Sequence, residues 1–122
     1  MSEWLTEKGR RAAELLGPTE WLDTGLHFEV WLREGAWWQA NETSDEPQRI
    51  PFPIGNAIQN DHARKRLAEE CVVLEIYAPR NHHETWTITI QLKQGERLYF
   101  RRQSYESALI AAVLAVFGKD KT

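Results

Sequence analysis

"LHFEVWLREGAWWQA" (residues 26–40) is the stretch on which the fold turns. Its first half alternates. Leu26, Phe28, Val30 and Leu32 fall on one side of an extended strand, and His27, Glu29, Trp31 and Arg33 on the other. Glu34-Gly35 has the composition of a hairpin turn, after which the chain returns through Ala36 to Ala40. A two-residue loop sets Trp38 opposite Trp31, and a three-residue loop sets Trp37 there. In either register one of the tandem tryptophans joins Trp31 and the other joins the aliphatic side. Both faces of the hairpin therefore carry large aromatic area. Because a buried aromatic is commoner than a displayed one, the expectation is a helix over each face, with the hairpin as the middle of three layers. The competing reading is an exposed tryptophan pair that anchors a partner.

Upstream, Ser2 reads as the cap of a first helix, with Leu5, Gly9, Ala12 and Leu16 on one face and Gly17-Pro18 as its end. Gly9 on that stripe permits close approach to whatever the helix packs on. Downstream, "NETSDEPQRIPFPIGN" (41–56) is polar and then proline-punctuated, and reads as one long internal loop. A second helix opens at Asn56 or Asn60 and runs to about Glu70. Three β-patterned segments follow, "VVLEIYA", "TWTITIQLK" and "RLYFR". Ser104 caps the last helix, Glu106 sits in its positive first turn, and Gly118 with Lys119 closes it.

The order is α, β-hairpin, α, three-stranded antiparallel meander, α. That is a single α+β domain over residues 1–122, with helices packed on a mainly antiparallel sheet. "ALIAAVLAVF" (108–117) is apolar all round, so this last helix lies under other elements or in a homodimer contact.

The meander strand "TWTITIQL" sorts its residues. Trp86, Ile88, Ile90 and Leu92 face one way, and Thr85, Thr87, Thr89 and Gln91 the other. A three-residue loop at Gln94-Gly95-Glu96 aligns Leu92 with Leu98 and Ile90 with Phe100. It places Arg97, Tyr99 and Arg101 on the threonine side, with Glu75 and Tyr77. Thr, Tyr and Arg are ordinary residues of a wet sheet face. They are also what a single-stranded nucleic acid uses, with bases on aromatics and phosphates on arginines. Neither ribonucleoprotein aromatic signature is present.

With 122 residues, 42% hydrophobic and 27% charged, the composition is that of one globular domain. The net charge of −3 works against duplex nucleic acid and anionic membrane as partners. Cys71 is the sole cysteine, which excludes an internal disulfide and a cysteine metal cage. The N-terminus has no signal-peptide pattern and the longest apolar run is too short to cross a membrane, so the expected compartment is the cytoplasm.

His82-His83-Glu84 is the one imidazole cluster. Adjacent positions point apart and no third ligand stands at a suitable spacing, so it reads as a hydrophilic turn, with no metal expected. The basic run in "HARKRLAEE" (62–70) reads as a helix face paired through Asp61–Lys65, Lys65–Glu69 and Arg66–Glu70. His27 and His62 stand alone. The sequence contains no nucleophile–base pattern, metal motif, glycine-rich phosphate loop or nucleotide fingerprint, so neither an enzyme nor a cofactor is expected.

Residues 54–118 resemble the phage ABA sandwich domain, a family of small phage and prophage proteins. The likeness lies in "IGNAIQNDHARKRLAEE" before the meander, in the tryptophan strand "TWTITIQL", and in the Ala-rich ending "SYESALIAAVLAVFG". It implies a phage or mobile-element setting and a three-layer sandwich, and no catalytic residues. The hairpin and proline loop of residues 26–53 and the polar meander face depart from the family pattern. The α-β-β-β-α order of residues 57–118 is also that of a double-stranded RNA-binding domain, but Glu106 stands where that family places a cation.

The resulting expectation is a small noncatalytic protein that binds a protein partner, with a homodimer as one option. Its candidate contact residues are Trp31, Trp37, Trp38, Tyr77, Tyr99, Arg97 and Arg101. The alternative is a single-strand nucleic-acid binder that uses the meander face.

Overall fold

Residues 2–41, 43, 46–80 and 85–118 are described by the structure, a computed structural model of the chain. The N-terminus differs from the expected single helix. The Ser2 hydroxyl accepts from the Trp4 amide and starts a 3-10 turn, Glu3–Leu5. Thr6 accepts from the Gly9 amide and caps α1, Glu7–Leu16. The turn folds back over Gly9, so the expected close approach is to the backbone of Glu3 and Trp4. Gly17 ends the helix as expected, its amide donating to Ala13 O.

Two tight turns build the first sheet. Strand β1 (Thr19–Asp23) reverses through Thr24-Gly25 into β2 (Leu26–Arg33), which reverses through Glu34-Gly35 into β3 (Ala36–Ala40). All four turn residues have positive φ (50° and 81°, then 52° and 74°). This is the left-handed pair that a two-residue hairpin loop requires and that glycine supplies without steric penalty. A short β4 (Gln48–Ile50) completes the order β1-β2-β3-β4. The expected loop of 41–56 is thus corrected. It holds a strand, and then the start of α2 (Phe52–Glu70) four residues before Asn56. Prolines are tolerated at the first positions of a helix, where an amide would go unused, and Pro53 occupies that place.

The second sheet is the expected meander, β5 (Cys71–Tyr77), β6 (Trp86–Leu92) and β7 (Arg97–Arg102). Its β6–β7 register differs by two residues from the expected one. Ile90 pairs with Leu98 and Ile88 with Phe100, because the three-residue loop is residues 93–95, one position earlier than read, with the Leu92 amide donating to Glu96 O at 2.8 Å. A shift of two preserves sidedness, so every residue keeps its expected face. Ser104 caps α3 (Tyr105–Phe117) as expected, accepting from the Ser107 amide.

The protein is α+β, with three helices and two antiparallel sheets among the described residues. The layer order is the reverse of the expectation. Helix α2 packs on β3 of the first sheet and β5 of the second. Helix α3 packs on β6, β7, α1 and α2, and α1 also reaches β2. The helices are the middle layer and the sheets the outer two. Ala108, Leu109, Ile110, Ala112 and Val113 are buried among these elements, so an all-apolar α3 is accounted for within one chain. Of the two readings of α3, core packing and a homodimer contact, the first covers it.

Candidate functional site

Among the described residues each sheet turns one face to the helices and leaves the other uncovered, so the candidate surfaces are the two outer faces. On the first sheet, cross-strand pairing gives Trp31 opposite Trp38 and Leu32 opposite Trp37. Trp37 points inward and is 2% exposed. Its indole N–H donates to Gln59 Oε1 at 3.1 Å, and Phe52 meets its ring edge-on at 5.8 Å. A Cβ added at Gly55 would lie 2.8 Å from three atoms of Trp37, so the helix backbone rests directly on the indole. Trp37 is therefore corrected from contact candidate to core residue.

Trp31 and Trp38 stay half-buried on the outer face. They line a recess of about 250 Å³ with Arg33, Glu34 and Pro47. The Trp38 indole N–H donates to Arg33 O at 3.2 Å, which fixes its ring across the turn. The Trp31 N–H has no acceptor among the described residues. Around them lie exposed Glu20, His27, Glu29, Arg33 and Arg49, and Leu22, which is 59% exposed. The expected helix over this side is absent from the described residues.

The second outer face brings together the polar residues read from the sequence. Tyr77 lies across from Thr87 and Arg101, Glu75 from Thr89 and Tyr99, and Val73 from Gln91 and Arg97. Tyr77 and Tyr99 are 52% and 63% exposed. The Tyr77 hydroxyl donates to Glu75, which pushes the phenol's pKa up, and the Arg97 guanidinium lies 5.7 Å from the Tyr99 ring centre. Tyr77, Arg80, Thr87 and Arg101 border a shallow depression of about 550 Å³. The seven expected contact residues thus divide among an aromatic face, a polar face and the core. They do not form one surface.

Several residues that stood out little in the sequence close the helix ends. His62 is 9% exposed, and its Nε2 lies 3.2 Å from Gly17 O and 3.4 Å from Leu16 O. Arg66 donates to Leu16 O at 2.7 Å and stacks 5.0 Å from the Phe117 ring centre. Both occupy the negative end of α1. Burial holds the His62 imidazole below its ordinary pKa of 6.5, against the opposing pull of the two carbonyls.

Glu106 accepts from the Glu3 amide at 2.9 Å and Asn56 Nδ2 at 2.7 Å, with Ser2 Oγ at 3.0 Å. Asn60 accepts from the Trp4 indole at 2.6 Å. A helix-interior Asn aligned with the face that meets α3 was the available signal, hidden by reading Asn56 and Asn60 as caps. The basic run is paired as Asp61–Arg64 (2.8 Å), Asp61–Lys65 (3.0 Å) and Arg66–Glu69 (3.7 Å). Of the expected pairs, Asp61–Lys65 is present.

A cleft of about 460 Å³ opens between the β1–β2 hairpin and α2, bordered by Trp21, His27, Ile58, Asp61, His62 and Lys65. Two of its titratable groups are already engaged, His62 with the end of α1 and Asp61 with Arg64 and Lys65. Among the described residues no group of three or more His, Cys, Asp or Glu is placed to hold a metal. His82, His83 and Glu84 lie outside the described residues. Among the described residues no helix is long and apolar enough to cross a membrane. No protein-family model, curated protein or solved structure matches the chain.

Proposed function

We propose that the chain is a noncatalytic protein-binding module that docks through the outer face of its first sheet. The observation that carries this reading is the Trp31–Trp38 pair, two indoles side by side on an uncovered sheet face. Large aromatics with one pinned ring lose little conformational freedom on binding, and tryptophan is the residue most enriched among interface anchors. The setting we propose, a phage or mobile element, rests on the resemblance of residues 54–118 alone.

Affinity capture from host lysate tests the docking face. Proteins retained by the wild-type chain should persist after nuclease treatment and be lost with Trp31→Ala and with Trp38→Ala. Unchanged capture by both variants would refute the reading.

A second reading is single-stranded nucleic-acid binding on the β5–β6–β7 face. It is favoured by exposed Tyr77 and Tyr99 beside Arg97 and Arg101, and opposed by Glu75 among them. Titration with a labelled oligonucleotide at low and moderate salt separates the two. Tight, salt-sensitive binding that disappears in Arg97→Ala with Arg101→Ala would promote this reading.

A further inference from the structure

We infer that the occupant of the Trp31–Trp38 face is a second copy of this chain, related by a two-fold axis running along the Trp31–Trp38 row. The inference rests on the proposed docking face and adds the partner's identity.

The pairing register sorts the outer face of the first sheet into rows. Glu20, Glu29 and Ala40 lie across from one another, then Trp31, Trp38 and Arg49, then Arg33 and Ala36. Successive rows are two residues apart, or roughly 6.7 Å. The acidic row and Arg33 therefore flank the aromatic row on opposite sides.

Half a turn about the aromatic row exchanges the two flanks and returns the aromatic row to itself. Trp31 meets Trp31 of the second copy, and Trp38 meets its own counterpart. Glu29 meets Arg33 of the second copy, and symmetry makes this contact twice. Ala40 lies over the position of Ala36 in the second copy, where Ala36 is already buried within its own chain and leaves the approach of the sheets unobstructed. Arg49, on the edge strand β4 in the same row, falls at the end of the axis beside its own counterpart, where its long exposed side chain turns to solvent.

The charges are available for this exchange. Among the described residues Glu20, Glu29 and Arg49 make no ion pair within the chain. Arg33 has a single 3.9 Å contact with exposed Glu34.

The face is small. Strands of five, eight, five and three residues at ~4.8 Å spacing and ~3.4 Å per residue present about 340 Å² to a partner. That is below the area of a stable specific interface, so the dimer is weak and forms and dissociates with protein concentration.

Sedimentation velocity from about 5 to about 500 µM at low salt tests the inference. The wild-type chain should pass from monomer towards dimer. Glu29→Arg alone or Arg33→Glu alone places like charges opposite each other and should raise the dissociation constant about tenfold or more. Combining Glu29→Arg with Arg33→Glu should return it to near the wild-type value. A wild-type monomer throughout, single variants without effect, or a double variant without recovery would each overturn the inference. The lysate capture keeps the two proposals distinct. A monomeric chain whose capture still depends on Trp31 and Trp38 loses the self-association and retains the docking face. Loss of neither activity in the tryptophan variants removes both.

Discussion

The outer face of the first sheet carries Trp31 and Trp38 in one row, whereas that of the second carries threonines, two tyrosines and two arginines. Both faces lie opposite a side packed on the helical layer, with α2 common to the two sheets. The second is built from residues that favour a pleated surface and satisfy their polar ends in water, so folding alone accounts for it. Two indoles on the first face are not accounted for in that way. The contrast teaches that exposure alone does not distinguish a binding surface. Apolar area left uncovered where the fold could have covered it is the more informative sign.

The comparison is broken most severely from beneath. Trp37→Ala should cost about 3–5 kcal/mol in denaturant melts, because it empties the contact between α2 and the first sheet. A midpoint equal to wild type would mean that the first sheet does not rest on the helices through this residue. Gly55→Ala should destabilise by about 1–3 kcal/mol despite alanine's better helix propensity, since its Cβ would press into a ring that has no room to move. A gain in stability would place α2 farther from the sheet.

Acidification probes the other end of the helical layer. His62 has its pKa depressed in the folded state, so below 6.5 the unfolded chain binds the proton more readily. Its contribution is therefore intact above pH 6.5 and lost progressively as pH falls from there towards the folded pKa. The charged groups around it are Asp61, Lys65, Arg66 and Glu69 on its own helix, with Glu20 and His27 bordering the same cleft. Urea melts between about pH 7.5 and 5.5 should show this slope in the wild type and a flatter one in His62→Gln. Equal slopes would contradict the burial of a neutral imidazole.

Trp31→Ala and Trp38→Ala should each change stability by under about 1 kcal/mol while removing partner capture. Arg97→Ala with Arg101→Ala should be smaller still, within about 0.5 kcal/mol, and should leave capture intact. A destabilised Trp38→Ala beside an unaffected Trp37→Ala would invert the assignment of the two tryptophans.

Local pattern carried much of the fold. The Leu26–Arg33 alternation and the Glu34-Gly35 turn located the central hairpin and showed that one tandem tryptophan is buried. Ser104 as a cap and the two faces of β6 were equally readable. Strand β1 was missed because "TEWLD" is short and acidic, and its turn is Thr-Gly rather than an Asn-Gly or Asp-Gly pair. Strand β4 is three residues set among prolines, and its pairing to β3 is decided by tertiary contact.

The layer order could not be read from periodicity. An aromatic on both sides of a strand looks the same whether a helix or a partner covers the second side. The helix-end contacts of His62, Arg66 and Glu106 join residues about 45 to 104 positions apart, a range at which spacing carries no signal.

Indole accessibility measures the central claim, that the tandem tryptophans part between core and contact face. The chain labelled with 5-fluorotryptophan, kept dilute enough to be monomeric, gives one fluorine resonance for each of its six tryptophans. A soluble paramagnetic agent should broaden the Trp31 and Trp38 resonances and leave those of Trp4 and Trp37 sharp. Trp31 and Trp38 protected as fully as Trp37 in the monomer would contradict the account.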